Sequence, residues 1–130
     1  MHTSLSDLTT VIESIEFGAN LRVFSGFNSF YGALRENHTI NQLQQLLADY
    51  PAENEQLLLR LKTLLAQNDE PRYAHPHDVP IASYLFVLSN VSHNELAIEA
   101  AKKVLATANL IWAKRLAEIV LAEQTVPHES

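Results

Sequence analysis

Apolar residues recur along most of the chain at steps of three and four, the spacing that lines one face of a helix. Leu5, Leu8, Ile12 and Ile15 predict a first helix over residues 4–17, with Ser4 or Ser6 able to cap it and Asp7 suited to its positive end. Residues 35–38 read as a turn. Thr39 and Gln42 then have the spacing of a capping box, ahead of a helix carrying Ile40, Leu43, Leu46 and Leu47. Pro51 ends that helix and opens another, whose face is Leu57, Leu58, Leu61, Leu64 and Leu65. Residues 68–78 form a connecting loop between two helical halves. Asp78 reads as an N-cap, followed by a helix apolar on nearly every side through Ile81, Ala82, Leu85, Phe86 and Leu88, with Tyr84 as its polar edge. Such a helix belongs in the centre of a fold. Ser92 and Glu95 form a second capping box before Leu96, Ala100 and Val104, and Thr107 can cap a last helix carrying Leu110, Trp112, Leu116 and Val120. The tail from Gln124 onward reads as frayed.

One segment departs from this rhythm. Residues 17–32 hold all three glycines and half of the aromatic residues: Phe17, Phe24, Phe27, Phe30 and Tyr31. Glycine costs a helix about 1 kcal/mol relative to alanine, so an interrupted helix is expected. Its rings belong to the core, or they line an aromatic groove for a partner or apolar ligand.

The expected fold is therefore all-α: about six helices in an irregular bundle or short helical stack, making one domain over residues 1–130. Composition agrees, because leucine and alanine dominate the 47% of apolar residues and both are strong helix formers.

Charge and cysteine usage narrow the function classes. The chain has a net charge of −6, which argues against nucleic acid as a partner, since phosphate binding needs a basic face. The acidity is concentrated before residue 72. A charged partner would therefore be a basic one, met by the N-terminal half. The absence of cysteine removes disulfides, thiolate metal sites and a cysteine nucleophile. No apolar run is long enough to span a bilayer, and no basic, apolar leader is visible. A cytoplasmic location without membrane contact is the expectation.

The strongest candidate for chemistry is His75, His77 and Asp78, in a stretch with Pro76 between the histidines and Pro80 beyond. Alternate residues of an extended backbone point the same way, so two imidazoles and a carboxylate could hold zinc or another divalent ion. A fourth ligand would have to come from His38, His93, Glu95 or Glu99. The plainer reading is a proline-stiffened loop in which Asp78 caps a helix. Glu13 and Glu16 read as polar-face residues, and the pattern contains no phosphate loop, nucleophile elbow or dinucleotide fingerprint.

The expected function is a non-enzymatic protein-binding module without a cofactor. Its sharpest form is a small acidic bacterial inhibitor of the immunity or antitoxin type, steered onto a basic protein by Glu13, Glu16, Asp49, Glu53 and Glu55. The alternative is a metal-binding protein or metal-dependent enzyme centred on His75, His77 and Asp78. A third is a structural subunit of a larger assembly.

Overall fold

A computed structural model describes residues 6–18, 26–67, 76–91 and 94–125. Within them the chain forms seven α-helices and no strand: α1 (Ser6–Glu13), α2 (Phe27–Glu36), α3 (His38–Asp49), α4 (Glu53–Ala66), α5 (Asp78–Val91), α6 (Asn94–Leu105) and α7 (Trp112–Thr125). A π-helical turn, Ser14–Gly18, continues α1. The all-α expectation holds, and seven helices among the described residues is close to the six expected.

Three of the boundaries read from the sequence move. Helix α2 runs on through Glu36, so the turn expected at residues 35–38 shrinks to Asn37. That residue, not Thr39, caps α3: its Oδ1 accepts from the Ile40 amide at 3.0 Å. Asparagine ranks above threonine as a cap, which explains the choice. Thr107 does not cap the last helix. Its hydroxyl donates to the Lys103 carbonyl at 2.9 Å and so closes the end of α6. Asn109 then takes a left-handed φ of 68°, which asparagine tolerates better than most residues, and the chain turns back toward α7. At the other end, α7 continues to Thr125, one residue past the point where fraying was expected. The proposed second cap, Ser92, lies outside the described residues, as does His93.

Helix α5 is the central element. It touches α3, α4, α6, α7 and the π turn. Pro80 through Leu88 are all buried, which is why its sequence shows no polar face. Hydroxyls in so apolar a helix need local partners. Ser83 donates to the Val79 carbonyl at 2.9 Å and Ser89 to the Phe86 carbonyl at 2.7 Å. Around α5 pack the leucine faces of α3 and α4 and the alanine-rich faces of α6 and α7: Leu43, Leu47, Leu57, Leu61, Leu64, Ala97, Ala100, Ala113 and Ala117 are all buried. Small side chains let α6 and α7 lie close against α5.

Asn54 fixes the corner between α3 and α4. It is buried, and its Nδ2 donates to the carbonyls of Leu47 at 3.3 Å and Pro51 at 2.8 Å. No described helix is long and apolar enough to cross a membrane.

Candidate functional site

Two ion pairs involve α4: one joins Arg60 to Glu16 and the other Lys62 to Glu99. The first is the more deeply placed. The π-helical turn departs from regular α geometry, a local irregularity often found at functional sites, and it carries Glu16 inward, where its side chain is only 2% exposed. Arg60 meets it as a fork. Its Nε donates to Glu16 Oε2 at 2.8 Å and its Nη2 donates to Oε1. From below, the Tyr84 hydroxyl donates to Oε2 at 2.5 Å. Tyr84 is wholly buried, so it is no polar edge toward solvent. Its hydroxyl had to find a partner inside the protein, and found Glu16.

The electrostatics follow from this arrangement. Burial alone would push the Glu16 carboxyl up. The hydrogen bonds from Arg60 and Tyr84, and the positive charges of Arg60 and His77, outweigh it and hold the carboxyl below its usual range. Burial, and then the anion beside it, push the Tyr84 phenol far up, so it stays a donor.

The His77–Asp78 pair sits next to this network. His77 supplies the N-terminal end of α5: its carbonyl accepts from the Ile81 amide at 2.9 Å. Asp78 is therefore the first helical residue, not the cap of its own helix. Its buried carboxylate instead caps α7. Oδ2 accepts from the amides of Ile111 at 3.0 Å and Trp112 at 2.9 Å, and Oδ1 from Ala113 at 3.0 Å. The reason lies in the sequence before α7. Ile111 stands at the N-cap position and has no side-chain acceptor, so the exposed amides take a carboxylate from another helix, where the dipole favours a negative charge.

The residues put forward as a metal trio are thus assigned separately. Asp78 faces α7, and His77 lies close enough to Glu16 for its charge to act there. His75 lies outside the described residues. Among the described residues no three histidine, aspartate or glutamate side chains converge. Of the further donors considered, His38 is exposed at the start of α3 and Glu99 is bound to Lys62, while His93 lies outside the described residues.

The acidic set also divides. Glu16 is turned inward, whereas Glu13, Asp49 and Glu55 are exposed and Glu53 is half-buried. Asp49, Glu53 and Glu55 flank the corner between α3 and α4. Beside that corner lies an open depression of about 540 Å³, lined by Asn41, Gln44, Gln45, Ala48, Asn90 and Val91. Its amides are linked: Asn90 donates to Gln44 at 2.6 Å, and Gln44 to Asn41 at 3.2 Å. Gln45 donates to Asp49 at 3.0 Å, which joins the depression to the acidic corner.

The aromatic residues of α2 lie in the core or pack against it. Phe30 is in the core and stacks on Trp112 at 5.1 Å. Phe27 and Tyr31 are half-buried beside it, 5.7 Å apart, with the Arg115 guanidinium 5.3 Å from the Phe27 ring centre. The side chains of Phe17 and Phe24 lie outside the described residues.

Sequence reasoning passed over Arg60, which interrupts the run of leucines in α4. A usable signal existed in Tyr84: a phenol in a helix with no polar side implies a buried acceptor. Against known protein families, characterised proteins and solved structures alike, the chain shows no match.

Proposed function

We propose that this chain is a non-enzymatic protein-binding module, and that it acts by occupying a basic surface of another protein. The observation that carries this reading is the continuity of the acidic α3–α4 corner with the amide-lined depression between α3 and the end of α5. Carboxylates at Asp49, Glu53 and Glu55 supply long-range attraction. Asn41, Gln44, Gln45 and Asn90 supply donors and acceptors at short range. Asn54 stiffens the corner from inside. The deep carboxylates are engaged in holding helices together, Glu16 with Arg60 and Tyr84, and Asp78 with α7. Of the acidic set, the carboxylates left facing outward are Glu13, Asp49 and Glu55, with Glu53 half-buried beside the last two.

In its finer form the proposal is a small acidic inhibitor of the bacterial immunity or antitoxin type. Steering by such a surface raises association rates by about tenfold or more at low salt. Glu13 belongs to the outward set and Glu16 does not.

The test is capture of partners from the source cell, followed by association kinetics with the protein recovered. Reversing Asp49, Glu53 and Glu55 to lysine should slow association at low ionic strength, with the difference shrinking as salt screens it. Reversed variants that associate as fast as the parent at low salt would overturn the steering claim. Recovery of only acidic partners would overturn the choice of partner chemistry.

A further inference from the structure

Arg60, Tyr84 and Glu16 come from three parts of the chain that differ in how they are held. Arg60 is on α4 and Tyr84 on α5, two helices fixed in the core by Leu57, Leu61 and Leu64 on one side and Ile81, Leu85 and Leu88 on the other. Glu16 comes from outside that core pair. It is delivered by the turn after α1, an eight-residue helix that docks through buried Val11 and half-buried Leu8 and Ile12, with Ile15 of the turn itself also buried. The donors therefore belong to the scaffold, and the acceptor belongs to a strap laid across it.

The donors are also matched to the acceptor as a class. A guanidinium presenting two parallel N–H groups fits the two oxygens of a carboxylate better than any single charge does. The phenol adds a third donor from below. Arg60 keeps 37% of its side chain exposed, so the site opens to solvent along one wall.

We propose that Arg60 and Tyr84 form a carboxylate receptor on α4 and α5 that Glu16 fills in cis, and that it takes a carboxylate from another molecule when α1 and its π-helical turn move aside. The strap is then an autoinhibitory contact. A tethered carboxylate acts at an effective concentration in the millimolar range or above, so dissolved acids cannot compete while the strap is seated. Removing the Glu16 side chain removes the competitor and leaves the buried Tyr84 hydroxyl and the partly exposed Arg60 guanidinium without their acceptor, a state that favours any carboxylate able to enter. This inference does not depend on the acidic corner or its partner.

The experiment is chemical rescue. Glu16→Ala is melted in acetate, in N-acetylglutamate amide, and in chloride and acetamide at matched concentration and ionic strength. Both carboxylates should raise its Tm in a saturable way, by about 3–6 °C for one recovered contact in a chain of this size. Chloride and acetamide should not. The carboxylate that saturates at the lower concentration identifies the source: acetate points to a small free acid, the glutamate amide to an acidic side chain of a peptide. Adding Arg60→Met to Glu16→Ala should abolish the rescue. If Glu16→Ala does not fold unaided, its refolding yield in acetate against chloride reads the same property. Equal Tm, or equal refolding yield, in acetate and chloride would overturn the receptor. Saturable binding of acetate by the parent chain, with α1 still protected from hydrogen exchange, would overturn occupancy in cis.

Discussion

The Tyr84 hydroxyl donates to Glu16 Oε2 at 2.5 Å across 68 residues of sequence, from the most buried helix to the turn that closes the N-terminal strap. Both groups are withdrawn from water, so each depends on the other. Tyr84→Phe keeps the ring and its packing and removes only this donor. It should lower stability by about 1.5–3 kcal/mol, the usual range for a hydrogen bond to a charged group, as read by urea unfolding. A change within error would mean that the phenol contributes by packing alone.

Glu16 also makes stability depend on pH. Its carboxyl lies below the ordinary value of 4.5 in the folded chain. The unfolded state therefore takes up protons first as pH falls. The contribution of Glu16 is complete above the unfolded value and is lost as pH drops through the folded one. Stability should decline from about pH 5 downward in the parent chain. Glu16→Gln should begin less stable at neutral pH and show a shallower decline over that window, measured by unfolding at a series of pH values. Parallel curves for the two proteins would rule out this linkage.

Asp78 holds the N-terminal end of α7 through three backbone amides. Asp78→Ala should cost about 2–4 kcal/mol, because it removes a cap and strands buried donors. Asp78→Asn should cost less, since one oxygen remains. The local signature is faster amide exchange at Ile111, Trp112 and Ala113, ahead of any change at α3. Unchanged melting of Asp78→Ala would show that α7 is capped by other means.

Gly32 sits inside α2, and no atom lies within 4 Å of where a Cβ would stand. Its backbone is helical, so alanine fits without strain. Gly32→Ala should raise stability by about 0.5–1 kcal/mol, through the lower entropy of its unfolded chain. A destabilised variant would show that this face of α2 is closed to added bulk.

Leucine and alanine spacing was enough to establish the helices and their buried faces, because a face that must leave water repeats with the period of the helix. The unbroken apolar run of α5 identified the central helix for the same reason. Capping was less legible. Asn37 displaced Thr39 within the same local stretch. Asp78 was recognised as a cap, but the helix it caps lies 33 residues beyond it, at Ile111. The charge network was not legible at all. Glu16 looked like one more polar-face carboxylate, and nothing in the leucine pattern of α4 singled out Arg60. Periodicity reports which side of a helix is dry. It does not report which distant helix end lies alongside, or that a π turn rotates one glutamate into the core. Those outcomes depend on how α1, α4, α5 and α7 pack, and packing brings together residues whose separation in sequence carries no pattern.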